Sequence, residues 1–230
     1  MDKESRMKII SYNINKSTIA KIKYLLEQDA DVYVIPEISE DIRNTLPSEY
    51  EMEYLGDIPS KGLGVIWRKG MCKLPQWYKD DYKQLSYAIP LIYDDVLILG
   101  IWPTNYKRKK TYTTLAKEII EKYIPHFSEF KQCIITGDFN LYHKKDFPNK
   151  AANIIEIDSL LHDNNFKSIY HDLRGEAFGY ETKKNFYMKF EEDNPFFLDY
   201  TYSKLPVKNY DFIKSPIEKF SDHIGQIIEI

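Results

Sequence analysis

The feature that most constrains the fold of this chain is a strand–helix–strand pattern that occurs twice in its sequence. In the first unit, residues 8–12 and 32–35 are short apolar stretches typical of buried strands. Between them, Ile19, Ile22 and Leu26 recur at helical spacing. The pattern predicts a β-α-β opening.

The second unit lies beyond the middle of the chain. Residues 111–127 carry Leu115, Ile119 and Tyr123 on one helical face, and the short apolar strand 133–135 follows. The remaining predicted elements are a helix over residues 151–161 and strands at residues 63–68, 85–93, 96–102, 197–202, 207–213 and 226–230.

Two such units supply strands that must be covered on both faces. They predict two packed sheets flanked by helices rather than one open sheet, so the expected class is α+β (α/β). No low-complexity linker divides residues 1–230, and we expect a single domain. With 43% apolar and 15% aromatic residues the chain can bury a large core, which excludes disorder for the bulk of the sequence.

Composition and charge exclude several classes of protein. The net charge of −3 gives the protein no strongly basic electrostatic field, so any polyanion must be bound by a local group of basic residues. Cys72 and Cys133 are too few for a disulfide framework or a zinc site. No apolar run approaches the roughly 18 residues of a membrane span, and the charged N-terminus lacks the apolar core of a signal peptide. We therefore expect a cytoplasmic protein without membrane insertion.

Polar residues stand beside the predicted strands at five places, where a rigid strand end can aim a side chain into a shared cleft. They are Asn13, Glu37, Asn105, Asp138 with Asn140, and Asp222 with His223. Asp199 differs because it lies inside the predicted strand 197–202, where an unpaired carboxylate is costly.

Each of these residues has a plain structural interpretation when it is taken alone. Asn13 is a common turn residue, and Glu37 could be an acid in the first turn of a helix. The segment 138–140 could be an Asx turn or a helix cap. His223 becomes a stronger candidate for a functional group only if an acid such as Asp199 orients its ring.

Five short motifs occur in order along nearly the whole chain. They are Ser11-Tyr12-Asn13-Ile14-Asn15, Pro36-Glu37, Gly137-Asp138-Phe139-Asn140, Leu198-Asp199-Tyr200 and Ser221-Asp222-His223. In this order they resemble the motifs of the endonuclease/exonuclease/phosphatase superfamily, which includes deoxyribonucleases, abasic-site endonucleases, sphingomyelinases and inositol-phosphate phosphatases. The resemblance implies a four-layer α-β-β-α sandwich in which two mixed sheets pack face to face between helices.

The resemblance also implies a metal site. It places a divalent cation on Glu37, assisted by Asn13 and, in some members, by Asp222. Phosphodiester hydrolysis needs charge neutralised on a phosphoryl oxygen, and a cation held by carboxylates supplies this. Because oxygen ligands suit a hard cation that keeps several waters, we expect Mg²⁺, with Mn²⁺ able to substitute.

The other motif residues are implied to act on the substrate. Asp138 orients or deprotonates the attacking water, and Asn140 holds a phosphoryl oxygen. His223 contacts the phosphate or acts as general base, while Asp199 fixes the tautomer of its ring.

Two positions depart from the family pattern. Trp102 stands where many relatives carry His or Tyr, and a Trp side chain can donate one hydrogen bond or stack on a base but cannot relay a proton. Asn15 stands where abasic-site nucleases tend to have an acid. The second departure weakens an assignment to DNA repair.

Two basic segments could contact a substrate. Residues 105–110 directly follow a predicted strand, and a smaller basic set follows at residues 143–145. As solvated loops they would be unremarkable, but together with neighbouring aromatic rings they could hold the phosphate backbone of a nucleic acid. The candidate substrate contacts are Trp102, Asn105, Lys107 and Arg108.

The sequence therefore favours a Mg²⁺-dependent hydrolase of phosphodiester bonds, a nuclease acting on DNA or RNA. The alternative is a phosphomonoesterase or a hydrolase of phospholipid or inositol headgroups. A binding module that has lost catalysis is a third hypothesis, against which the joint presence of the motif acids and His223 argues. The expected partner is a phosphate-ester substrate, and no obligate protein partner is inferred.

Overall fold

Two β-sheets form the centre of the computed structural model, which describes residues 7–78, 87–105, 109–143, 145, 153–193, 195–215 and 219–230. In chain order the strands are β1 Lys8–Ser11, β2 Val32–Ile38, β3 Tyr50–Ile58, β4 Lys61–Arg68, β5 Ala88–Tyr93, β6 Val96–Ile101, β7 Gln132–Asp138, β8 Lys167–Ser168, β9 Asp199–Ser203, β10 Asn209–Ile213 and β11 Gly225–Glu229. The helices are α1 Ile19–Leu26, α2 Tyr112–Phe127, α3 Ile154–His162 and α4 Ile169–Arg174, with short 3-10 helices at Glu40–Thr45 and Met188–Phe190.

Each sheet contains one parallel pair of strands. The first sheet has the order β10-β11-β1-β2-β4-β3, and the second has the order β5-β6-β7-β9-β8. The parallel pairs are β1 with β2, joined through α1, and β6 with β7, joined through α2. The other neighbouring strands in the described part of the chain are antiparallel. Both sheets are therefore mixed, and the two predicted β-α-β units are confirmed.

The sheets pack face to face. At Gly100 of β6, a Cβ atom would lie 2.9 Å from a methyl carbon of Val34 in β2 and 3.0 Å from one of Val65 in β4. Apolar side chains of both sheets belong to one continuous buried core. The absence of a side chain at position 100 thus allows the sheets to approach closely.

Helices cover the outer faces of both sheets. Ile22 and Leu25 of α1 pack with Tyr33 of β2 on the outer side of the first sheet. On the second sheet, Tyr123 of α2 donates a hydrogen bond of 3.3 Å to the carbonyl oxygen of Ala88, and α3 lies beside α2. The layers are therefore helix, sheet, sheet, helix, as expected for a four-layer sandwich. Among the described residues, no helix is both long and apolar enough to cross a membrane.

Five elements are missing from the sequence prediction, namely β3, β8, α4 and the two 3-10 helices. Strand β3 mixes acidic residues with apolar ones and is only partly buried, so its alternation is weak. Strand β8 has two residues and α4 has six, too few to show a period.

Several predicted boundaries are also wrong. Strand β9 begins at Asp199 instead of residue 197, so Asp199 lies at a strand end and not inside the strand. Strand β10 begins at Asn209 instead of residue 207. The first residues of the predicted strand 85–93 and helix 151–161 lie outside the described residues, and the remainders of these two segments form β5 and α3.

Gly137, in β7, allows a close approach to the neighbouring strand. Its φ is +152°, and a Cβ there would lie 1.9 Å from the carbonyl oxygen of Ile101. Because that oxygen belongs to the sheet backbone, it cannot move aside.

We expect Gly137→Ala to lower the free energy of unfolding by on the order of 3 kcal/mol or more, measured by urea denaturation. Gly70→Ala is the control, because Gly70 also has a positive φ but no atom within 4 Å of the added Cβ. Equal losses in the two variants would show that the clash has no role.

A buried ionic cluster ties α4 to the loop that follows it. The Glu181 carboxylate accepts hydrogen bonds from Lys184 Nζ at 2.8 Å and from the backbone N–H of Gly179 at 2.9 Å, and its Oε1 lies 3.2 Å from His171 Nε2. Burial by itself would raise the pKa of Glu181, but these hydrogen bonds outweigh it and hold the pKa at about 2.

The cluster predicts a pH-dependent contribution to stability. A carboxyl group whose pKa is lower in the folded than in the unfolded chain stabilises the fold above about pH 4.5, and this contribution fades as the pH falls towards 2. We expect Glu181→Gln to lower the free energy of unfolding by on the order of 3 kcal/mol at pH 7, with a smaller difference at pH about 3.5. Urea denaturation at several pH values measures this, with the half-exposed Glu118→Gln as control. A difference that did not change with pH would contradict the assignment.

Candidate active site

The polar residues predicted from the motifs converge where the two sheets meet at one end. Asp138 is the last residue of β7 and Asp199 is the first of β9, and the two are direct partners in the antiparallel ladder. On the first sheet, Ser11 at the end of β1 pairs with Gln226 of β11, which brings Asn13 and His223 together beyond this pair. The strand pairing thus joins residues that are up to about two hundred positions apart in sequence.

At the centre lies a buried group of three titratable side chains, Asp138, Asp199 and His223. One ligand atom from each lies within 4.8 Å of the others, a spacing at which they could hold a metal ion. His223 Nδ1 lies 2.8 Å from Asp199 Oδ2, so the predicted pairing of this acid with the imidazole is present. The three residues are 2%, 4% and 6% exposed.

Burial and charge shift the pKa values of this group. Burial, and then the charge of Asp199, raise the pKa of the Asp138 carboxyl to about 7. Burial alone would lower the pKa of His223, but the adjacent Asp199 carboxylate raises it above its ordinary value. Opposed carboxylates on neighbouring strands are unfavourable, and here the imidazole lies beside both acids.

Asn13 links this group to Glu37. Its Nδ2 donates to Asp138 Oδ2 at 2.9 Å and lies 3.4 Å from Glu37 Oε1. Its Oδ1 accepts from the backbone N–H of Asn15 at 3.0 Å, so Asn13 is a turn residue, and its role at a metal site stays a prediction. The side-chain amide of Asn13 therefore lies between the carboxylates of Glu37 and Asp138 and connects them.

Glu37 lies at an irregular point of β2, not after the strand as the sequence predicts. The ladder with β4 shifts register between Pro36 and Ile38, and Glu37 has a φ of +64°. This conformation is uncommon for a residue with a long side chain and is typical of functional positions. Lys61 Nζ contacts Glu37 Oε2 at 2.9 Å, so in this structure an ammonium group neutralises the Glu37 carboxylate.

Asp222 is held in the loop between β10 and β11 by a contact with Asn15. Asn15 Nδ2 donates to Asp222 Oδ1 at 2.9 Å, so the Asn15 amide acts as a donor to this carboxylate. Lys21 Nζ in turn binds the carbonyl oxygens of Ile14 and Asn15 at 2.5 and 3.0 Å. The segment after β1 is therefore fixed by α1.

Asn140 caps the end of β7. It has a φ of +53°, its backbone N–H donates to Asp138 Oδ1 at 2.9 Å, and its Nδ2 donates to the carbonyl oxygen of Pro103 at 3.1 Å. This is the Asx turn considered for the segment. One of the two amide hydrogens of Asn140 is used by Pro103, and the second is the one that a phosphoryl oxygen could accept.

Of the four residues predicted to contact the substrate, the structure describes two, Trp102 and Asn105. Trp102 is 4% exposed and packs edge-on against Tyr87, with Lys61 Nζ 5.6 Å from its ring, so stacking on a base would require the ring to move. Asn105 is exposed beyond Pro103. Lys107 and Arg108 lie outside the described residues, and their contact with a substrate stays a prediction.

Three site residues are absent from the sequence prediction. Lys61 begins β4 and reaches Glu37 across the sheet. Tyr112 begins α2, and burial, followed by the charges of Asp138 and Glu37, raises the pKa of its phenol. Asn185 fixes the Asp199 backbone with a hydrogen bond of 2.7 Å to its carbonyl oxygen. None of the three follows a predicted strand, so strand-end reasoning could not find them.

Comparison with known proteins gives matches in structure but none in sequence. No protein-family model matches the chain, and no curated protein matches it. Among solved structures, it is similar to a 3′ phosphatase from Neisseria bound to a product DNA hairpin, with a TM-score of 0.71, and to a 3′-5′ exonuclease from Neisseria meningitidis, with a TM-score of 0.72. An AP endonuclease from Archaeoglobus fulgidus has a TM-score of 0.69. Each is 14% identical, and each alignment covers 96% of this chain and 98% of the other.

These similarities establish the fold. This chain has the α/β sandwich fold of the three neighbours, and its own two mixed sheets have six and five strands. The fold predicted from the motifs is thereby confirmed.

Proposed function

We propose that this protein is a divalent-metal-dependent hydrolase that cleaves phosphodiester bonds of nucleic acid. The observation that carries the proposal is the buried group of Asp138, Asp199 and His223, joined through Asn13 to Glu37. Structural, noncatalytic cores rarely bury two acids on adjacent strands. The names of the structural neighbours, an exonuclease, a 3′ phosphatase bound to DNA and an AP endonuclease, support DNA as the substrate class.

The donor set fits a hard divalent cation. Carboxylate and amide oxygens are suitable ligands for Mg²⁺, which needs only one or two carboxylates because it keeps several waters. Glu37 is the proposed main ligand because Asn13 connects its carboxylate to the buried group, and a cation bound there would displace the Lys61 ammonium. Asn13 and Asp222 are proposed to assist. When bound, Mg²⁺ or Mn²⁺ neutralises charge on a phosphoryl oxygen and stabilises the leaving oxygen.

The side chains of the chain itself supply the remaining steps. Asp138 is the proposed group that orients the attacking water and accepts its proton, and Asn13 holds its carboxylate in place. Asp199 binds Nδ1 of His223, which leaves Nε2 as the ring nitrogen that meets the phosphate. Asn140 is the proposed donor to a phosphoryl oxygen. Asp199 acts as a positioning residue, through His223.

A phosphomonoesterase is the second candidate. One structural neighbour is named a 3′ phosphatase, and the same set of groups can direct water onto a terminal phosphate.

A substrate panel tests the proposal. Supercoiled plasmid, a 5′-labelled single-stranded oligonucleotide, a duplex with a 3′-phosphate and a generic phosphodiester would each be incubated with Mg²⁺ or with EDTA. We expect cleavage of at least one nucleic acid with Mg²⁺ and none with EDTA. Release of inorganic phosphate alone would favour the phosphomonoesterase. A protein that was inert on every substrate with Mg²⁺ and with Mn²⁺ would contradict the proposal.

A further inference from the structure

The proposed hydrolysis gives no role to Lys61, although its ammonium lies at the candidate active site. Lys61 Nζ is 2.9 Å from Glu37 Oε2, and the lysine side chain is 41% exposed. In the described part of the chain, Glu37 is the one ion-pair partner of this ammonium. Lys21, in contrast, uses its ammonium on three backbone carbonyl oxygens of the segment after β1. The charge of Lys61 is therefore balanced by the carboxylate that is the proposed metal ligand.

The backbone that carries Lys61 is held in place on two sides. Lys61 begins β4, directly after the turn that follows β3. The Tyr87 hydroxyl donates a hydrogen bond of 3.0 Å to Asp57 Oδ2 near the end of β3. Within the turn, the carbonyl oxygen of Pro59 accepts from the backbone N–H of Glu40 at 2.7 Å. Because the lysine stem itself is flexible, the ammonium can change partners by side-chain rotation while the backbone stays fixed.

The ring of Trp102 lies beside the same ammonium. Lys61 Nζ is 5.6 Å from the centre of this ring, a distance at which a cation is attracted to an aromatic face. The indole is buried and packs edge-on against Tyr87, with the ring centres 5.2 Å apart. The attraction does not depend on Glu37, so it keeps the ammonium at the edge of the site when the ion pair is broken.

Charge repulsion determines which partner the ammonium takes when a divalent cation binds to Glu37. A cation on that carboxylate repels an ammonium that lies 2.9 Å away. The two buried acids already have partners, because Asp138 accepts from Asn13 at 2.9 Å and Asp199 lies 2.8 Å from His223. A phosphoryl oxygen held by the cation is then the nearby acceptor without a partner. Lysine binds phosphate well as a compact point charge.

We propose that the Lys61 ammonium binds a phosphoryl oxygen of the substrate, after a divalent cation has displaced it from Glu37. This inference rests on the proposed function, because it requires the cation at Glu37. Lys61 is then a substrate-binding residue that opposes metal binding before the phosphate arrives and stabilises the phosphate afterwards. Removal of the ammonium therefore has opposite effects on the two affinities, with tighter metal binding and weaker phosphate binding.

Two binding experiments without turnover test this inference on Lys61→Met, which removes the charge and keeps most of the side chain. Titration with Mn²⁺, followed by electron paramagnetic resonance of the free ion, should show metal binding about two- to tenfold tighter than in the wild type. Titration of inorganic phosphate into Mg²⁺-saturated protein, followed by calorimetry, should show phosphate binding weaker by about tenfold or more.

Two further variants control for charge and position. Lys61→Arg keeps the positive charge and should retain most of the phosphate affinity. Lys69→Met should change neither affinity, because Lys69 is an exposed lysine just beyond the other end of β4. Urea denaturation checks the folding of each protein, and Lys61→Gln is used in the same two titrations if Lys61→Met does not fold.

Two results would overturn the inference. Phosphate affinity that is unchanged in Lys61→Met would show that Lys61 is only the counter-ion of Glu37. Weaker binding of both Mn²⁺ and phosphate in a folded Lys61→Met protein would show that Lys61 holds Glu37 in position for the metal.

The inference and the proposed function can fail separately. Nucleic-acid cleavage with the same KM and kcat in Lys61→Met as in the wild type would overturn the inference and keep the hydrolase. Phosphate binding that depends on the Lys61 charge, in a Mg²⁺-saturated protein that cleaves no phosphate ester, would keep the inference and reject the hydrolase.

Discussion

Asp138→Asn is expected to lower kcat for phosphodiester cleavage by about 10²- to 10⁴-fold, the usual contribution of a positioned general base. The carboxylate lies within 4.8 Å of Asp199 and His223 and is held by Asn13 at 2.9 Å. Replacing it with an amide keeps the volume and the acceptor for the Asn140 N–H, but removes the group that can accept a proton from water.

In Asp138→Asn, a loss of catalytic activity has to be distinguished from a loss of folding stability. The new amide faces the Asn13 amide, where one donor then meets another, so the urea denaturation curve must be measured beside kcat. The control is Asp163→Asn, because Asp163 is an exposed aspartate next to α3. A folded Asp138→Asn protein with kcat within about threefold of wild type would remove Asp138 from the proposed chemistry, since the smallest expected effect is about 10²-fold.

The second large effect is expected from the pair of His223 and Asp199. His223→Gln should lower kcat by about 10²- to 10⁴-fold, and Asp199→Asn should lower it by less, because Asp199 acts only through the imidazole. The double variant should then be no slower than His223→Gln alone, since groups that act as one unit are not additive.

Kinetics of the four proteins in this cycle, measured with saturating Mg²⁺, check the prediction. Phe186 is a useful control position, because its ring lies 4.6 Å from the His223 ring without a hydrogen bond to either partner among the described residues. Phe186→Leu should therefore leave most of the activity. Multiplicative losses in the double variant would show that Asp199 has a role of its own.

Much of the fold could be predicted because it depends on local pattern. Helical spacing between two short apolar runs identifies each β-α-β unit, and β1 with β2 and β6 with β7 are the parallel pairs that result. Strand β3 shows why the other elements of the fold were harder to predict from the sequence. Its acidic residues weaken the alternation, and its place at the edge of the sheet is decided by pairing with β4.

The residues of the candidate site also divide into those that a local sequence pattern identifies and those that it does not. Asn13, Asp138 and His223 follow or precede strands, and the sequence therefore identifies them as candidates. Lys61 and Asn185 act through contacts made by the folded chain, 24 and 14 positions from their partners Glu37 and Asp199, and no local signal marks them.

Backbone conformation divides the site residues in a similar way. Asn15 and Asn140 have left-handed conformations that asparagine tolerates, and a turn could be expected at both. Glu37 has the same kind of conformation, but its residue type gives no indication of it. The bulge in β2 becomes visible only when the strand is paired with β4.

The most direct test of the account is to locate a divalent cation in crystals soaked with Mn²⁺, using its anomalous scattering, for wild type and for Glu37→Gln. The account predicts one strong peak within coordination distance of the Glu37 carboxylate in the wild type, and a weak peak or none in the variant. A wild-type protein that bound Mn²⁺ only at exposed carboxylates elsewhere, or that cleaved its substrate equally well in EDTA, would contradict the account.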